Sequence, residues 1–140
     1  MAGTVAFTYD EGHDGAGLKG PIQKVTVDWT SDASGDADGT SRKIVGRLIK
    51  GVTDPSATAP TDNYDIVITD EEGANVLGNC FDDLLNRDTA NTEEVYFQVS
   101  NLAATDPAGG VHPVVCDTLT ITVSNAGNAK SGQLILYVGV

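Results

Sequence analysis

The sequence predicts one all-β domain, an antiparallel β-sandwich of jelly-roll-like type built from eight or nine short strands. Three observations carry that prediction. Valine, isoleucine and threonine recur in short runs where apolar and polar residues alternate, the period of a strand with one covered face and one wet face. Glycine, proline, aspartate and asparagine collect between those runs, as turn chemistry requires. Helical spacing shows at one short stretch alone, and no βαβ spacing or long internal repeat is visible. The 140 residues suffice for one domain, 1–140, and not for two of ordinary size.

Residues 4–9 alternate Val5, Phe7 and Tyr9 against Thr4, Ala6 and Thr8, and a glycine- and acid-rich loop follows at 10–20. Residues 22–30 form the clearest strand, with Val25, Val27 and Trp29 on one face and Lys24, Thr26, Asp28 and Thr30 on the other. Trp29, the only tryptophan, falls in the apolar register and is assigned to the core. The polar run 31–41 is expected to be a loop. Residues 42–53, RKIVGRLIKGVT, carry apolar residues in both registers, with Gly46 a candidate bulge. The proline-containing run 54–63 reads as a loop.

Tyr64, Ile66 and Ile68 then alternate with Asp65, Val67 and Thr69. A turn at 70–73, with Gly73 suited to positive φ, leads to a short return strand from Ala74 to Leu77. Phe81, Leu84 and Leu85 give 80–87 the one helical spacing. Val95, Phe97 and Val99 mark a strand over 94–100, a loop follows at 103–110, and His112 to Cys116 forms the next strand. Leu119, Ile121 and Val123 alternate with threonines, and Leu134, Leu136 and Val138 close the chain. The expected core therefore includes Val25, Val27, Trp29, Leu119, Ile121 and Val123, with Cys116 as a buried free thiol.

Composition narrows the function. Eight Lys and Arg against 20 Asp and Glu give a net charge of -12, which repels a phosphate backbone and argues against specific nucleic-acid binding. A 40% apolar content argues for a folded chain. No apolar stretch approaches the roughly 20 residues of a membrane span, and no secretory signal is expected from the first residues. Two cysteines, Cys80 and Cys116, make no disulfide framework.

Motifs of chemistry are weak. Ser34, Asp36 and Asp38 before Gly39 have the alternate spacing of a calcium loop, but Ser34 stands where an Asp is needed and Val45 where a bidentate Glu is needed. A polar hairpin loop is the preferred reading. The acids at 70–72, 82–83 and 93–94 sit in or beside turns, where solvated side chains are commoner than a catalytic pair. His13, His112, Cys80 and Cys116 have no recognised zinc spacing. Nucleophile-elbow, dinucleotide and phosphate-loop motifs are missing, and Asn125 to Gly132 reads as a hairpin connection. The chain is expected to be no enzyme and to need no cofactor or metal.

The basic residues are unevenly placed. Arg42, Lys43, Arg47 and Lys50 hold half the positive charge, whereas between Gly51 and Ala129 Arg87 alone faces thirteen acids. This stretch either pairs within the molecule or docks against an acidic partner, and the four residues are the candidate protein interface. Aromatic residues are too few for an evident sugar platform, since alternation assigns most of them to the core.

The run Lys24-Val25-Thr26-Val27-Asp28-Trp29-Thr30-Ser31-Asp32-Ala33-Ser34-Gly35 resembles the N-terminal part of a family of small tailed-phage virion proteins. So do Val52-Thr53-Asp54-Pro55, Ala59 to Asp65, Thr69 to Gly73 and Asn86 to Ala90. The likeness resumes at Leu119-Thr120-Ile121-Thr122-Val123-Ser124-Asn125-Ala126-Gly127, with Lys130-Ser131-Gly132 and Leu136-Tyr137-Val138 behind. Length and acidity are similar to those of the cement, or head-decoration, proteins of Bordetella-phage type, which have a jelly-roll fold. The resemblance implies a virion protein on the outer surface of the head, assembled in the bacterial host cytoplasm, that bridges neighbouring major capsid protein subunits. It implies a homo-oligomer, dimer or trimer, without an active site. A tail, connector or baseplate sandwich is the alternative station, and a carbohydrate-binding module a third reading.

Overall fold

The computed structural model describes residues 2–13, 16–17, 20–62, 64–77, 89–97, 99–100 and 110–139. Alternation dictates the main architecture. β1 (Thr4–Asp10) and β2 (Ile22–Thr30) form an antiparallel pair in which Val5 faces Trp29, Phe7 faces Val27 and Tyr9 faces Val25. β11 (Ser131–Gly139) lies on the other side of β2, and β4 (Ile44–Pro55) beyond it. The far edge of β4 is shared: β9 (Val114–Asp117) pairs along Ile44–Arg47, and β6 (Glu93–Tyr96) along Lys50–Thr53. These six strands are one sheet. β3 (Ala37–Thr40), β10 (Thr120–Ser124) and β5 (Asp65–Thr69) make a second, with β10 central. β7 (Val99–Ser100) and β8 (Gly110–Val111) form a separate short pair. All pairings are antiparallel.

The two sheets share one core. Val25, Val27, Trp29, Leu48, Leu134, Leu136 and Val138 come from the large sheet, and Ile66, Ile68, Ile121, Val123 and Ala37 from the small one, all buried. Leu119 and Tyr64 fill the same core from just outside their strands. Each fully buried aliphatic side chain of this kind stabilises by about 1.5–3 kcal/mol. At one seam β3 presses on β1, since a side chain at Gly39 would put its Cβ 2.6 Å from that of Val5.

β4 explains its own mixed pattern. Ile44 and Leu48 point inward, and so do Gly51 and Thr53, which have the opposite parity. An extra residue at Ile49, where the β11 register steps from Tyr137–Lys50 to Val138–Leu48, makes the switch. The irregularity therefore lies three residues beyond Gly46. Gly46 has a separate reason to be glycine: its φ is +145°, and a Cβ there would lie 2.2 Å from the Gly139 carbonyl oxygen.

Several expectations are corrected. The run 31–41 is not all loop, because Ala37–Thr40 is β3. Asn125–Gly132 is no hairpin, since it carries the chain from β10 in the small sheet to β11 in the large one. The expected return strand 74–77 reduces to a single bridge, Thr69–Asn75, beside a Val76 N–H donating to the Ile68 carbonyl at 3.0 Å. Cys116 is exposed. Along β9 it is Val115 that turns inward, and the run VVC offers no alternation from which to read that parity. The helical spacing at 80–87, Cys80, and the loop at 103–109 lie outside the described residues.

Candidate interface on the outer face of the large sheet

Register and burial place every outward side chain of the large sheet in a row. One row runs Asp10, Lys24, Tyr137, Lys50, Tyr96 across β1, β2, β11, β4 and β6. The next runs Ile22, Gly139, Arg47, Val114, and beside it Val45 faces Cys116. An outer face of a solvated sheet is ordinarily polar. Here Thr8, Asp10, Lys24, Thr26, Asp28 and Gln133 keep much of the face polar, but apolar side chains interrupt it: among the described residues the large exposed hydrophobics are Ile22 (40% exposed), Val45 (55%), Tyr96 (58%), Val111 (57%) and Val114 (75%). Four of these five lie in the rows around Arg47, and Val111 directly precedes His112, which borders the same end.

The four basic residues of the candidate interface do not act as one group. Arg42 is committed internally. Its guanidinium carbon stands 4.0 Å above the centre of the Tyr9 ring, its Nη2 is 3.5 Å from Glu11 Oε1, and its backbone N–H donates to the Tyr9 hydroxyl at 2.8 Å. Lys50 donates to Glu94 Oε1 at 3.1 Å, with its Nζ 4.7 Å from the Tyr137 ring centre and 5.7 Å from that of Tyr96. The Glu94 hydrogen bond holds the Lys50 ammonium above its ordinary lysine value and holds the Glu94 carboxyl below its own. Lys43 and Arg47 are exposed, and among the described residues neither forms an ion pair.

Around Arg47 the face is concave. Pro21, Ile22, Arg47, Ile49, His112 and Gly139 line a cavity of about 450 Å³. The β4 bulge helps to build it, because the inserted residue is Ile49. Sequence reading found Arg47 but missed Ile22, Val114 and Tyr96, which become neighbours only through cross-strand register. Tyr96 and Tyr137 are aromatics on the outer face; each ring is engaged by Lys50. Trp29, Tyr64 and Phe97 are buried in the core.

The chemistry weighed from the sequence does not converge at the places it suggested. Asp32, and not Ser34, Asp36 or Asp38, organises the 31–41 segment: its Oδ1 accepts the Ser34 N–H at 2.8 Å and the Asp36 N–H at 3.1 Å. Those backbone donors, Asp36 first, hold the Asp32 carboxyl below its ordinary value. His13 is exposed, whereas His112 Nδ1 lies 2.7 Å from the Phe97 carbonyl oxygen. Among the described residues, Asp70, Glu72 and Asp117 are the set of ligand-type groups whose atoms lie within 4.8 Å of one another. Asp70 and Asp117 are half-buried and Glu72 exposed. Comparison with protein-family models, curated proteins and solved structures returns no match to this chain.

Proposed function

We propose that the chain is a structural virion protein that docks on the outside of a phage head through the outer face of its large sheet, cementing neighbouring major capsid subunits. The observation that carries this reading is the grouping of exposed Ile22, Val45, Tyr96 and Val114 around Arg47, on a molecule of net charge -12. Apolar patches rimmed by polar groups mark protein interfaces, and Tyr and Arg are the residues such interfaces favour. Arg47 and Lys43, without an ion pair among the described residues, favour an acidic partner surface by complementarity. The sequence resemblance supplies the station, the head exterior, and a role without catalysis or cofactor.

The chain path supports the finer fold reading of a jelly-roll-like sandwich: it changes sheet from β2 to β3, β3 to β4, β4 to β5, β5 to β6, β9 to β10 and β10 to β11. Copies arranged as dimers or trimers on a symmetric shell multiply a modest contact into a stable coat.

The test is binding of the purified protein to expanded empty heads. A fixed saturating stoichiometry is expected, with Val114→Asp or Tyr96→Ala lowering affinity at least tenfold without loss of fold. Labelling of tails in place of heads overturns the station, and unchanged affinity of both variants overturns the docking face.

A further inference from the structure

We infer that the cavity around Arg47 is a socket for a carboxylate side chain, presented by the docked protein partner between apolar residues. This deepens the docking reading above and rests on it for the identity of the surface. Four of the six lining residues, Pro21, Ile22, Ile49 and Gly139, offer hydrocarbon or backbone, leaving Arg47 and His112 as the polar side chains. His112 is fixed: a carbonyl oxygen only accepts, so Nδ1 carries the proton it donates to Phe97, and the ring is pinned at 2.7 Å.

Arg47 is the one cation lining this cavity, and it differs from Arg42 and Lys50, though not from exposed Lys43, in its pairing. Acids outnumber bases 20 to 8, so partners are abundant, and both Arg42 and Lys50 have taken one. Arg47 has none among the described residues. Its register neighbours are Gly139, without a side chain, and Val114, without charge. A guanidinium is weakly hydrated, tolerates apolar walls, and presents a planar fork that matches a carboxylate bidentately. Seating an acid there expels water from the cavity and strengthens the attraction.

Two anion sources compete for such a fork. A nucleic-acid phosphate brings a polyanion against a -12 body and covers none of Ile22, Val45 or Val114. An Asp or Glu flanked by apolar side chains satisfies the guanidinium and buries that rim in one contact. The geometry therefore favours a protein carboxylate.

The probe is acetyl-Ile-Glu-Val-amide, titrated into the labelled full chain and followed at Arg47 Nε–H and the His112 ring by NMR. Saturable shifts are expected with this peptide and at least tenfold weaker ones with acetyl-Ile-Gln-Val-amide. Arg47→Gln removes the response, whereas Arg47→Lys restores only part of it. An equal response to the Gln peptide, or an undiminished response in Arg47→Gln, overturns the socket. So does an equal response to acetate or inorganic phosphate, which signals simple anion attraction. Head binding separates the two readings. If Val114→Asp abolishes it while the Glu peptide is silent, the socket alone fails; if the peptide binds while Val114→Asp and Tyr96→Ala both leave heads unaffected, the docking face alone fails.

Discussion

Trp29 shows how one residue sets its surroundings. Its ring centre lies 5.7 Å from that of Tyr64, and Gly132 on the adjacent strand leaves room for the indole. A Cβ at Gly132 would stand 2.8 Å from Trp29 Cζ2, an atom of the ring portion that phenylalanine lacks. Among the described residues the buried indole Nε1 has no hydrogen-bond partner, so replacing it with carbon breaks no bond there. Trp29→Ala is expected to lose about 3–5 kcal/mol, and Trp29→Phe clearly less, in urea unfolding. Gly132→Ala is expected to lose about 1–3 kcal/mol by overpacking, and less in the Trp29→Phe background. Additive losses in that double-mutant cycle would show that the close approach does not shape the core.

At the scale of elements, the 31–36 turn is held by a carboxylate. Asp32 accepts two backbone N–H groups, while its own N–H donates to the Asp36 carbonyl at 2.9 Å and Gly35 takes φ +92°. The folded pKa of Asp32 lies below its unfolded value, about 3.9. Its stabilising contribution is therefore complete above that value and fades as pH falls through the lower, folded one. Thermal melts should show Asp32→Ala below wild type at about pH 7, with the gap closing by about pH 2; a gap independent of pH refutes the turn's electrostatic hold. Such elements also mark what could be read beforehand. β2, β10 and β11 alternate strictly because each has one buried face, so their cores were legible. β3 was not: its four residues, ADGT, have weak strand propensity and stay in place through pairing to Thr120–Val123. β4 hid its parity behind the Ile49 insertion, and β9 hid its own in VVC. The proposed docking face is assembled from five strands across rows, whereas sequence spacing shows only neighbours along a strand. That is why Arg47 was visible as a candidate and its apolar rim was not.

Over the whole molecule the -12 charge acts in two opposite ways. Within the free protein it is a self-repulsion, relieved only locally by pairs such as Arg42–Glu11 and Lys50–Glu94. Added salt shortens the screening length from about 30 Å at 0.01 M to about 10 Å at 0.1 M, so the repulsion summed over the domain falls. The melting temperature of the free domain should therefore rise across that range. The proposed docking through Arg47 and Lys43 onto acidic groups of a partner depends on local attraction between exposed charges, and screening weakens it, chiefly through the association rate. Affinity for heads should fall over the same range while stability rises. A purely apolar contact gives a different pattern, because burial of Ile22, Val45 and Val114 carries no charge to screen. Parallel melting and head-binding series in sodium chloride distinguish the two. If affinity holds steady or increases while the melting temperature rises, the apolar rim carries the contact and the cations do not.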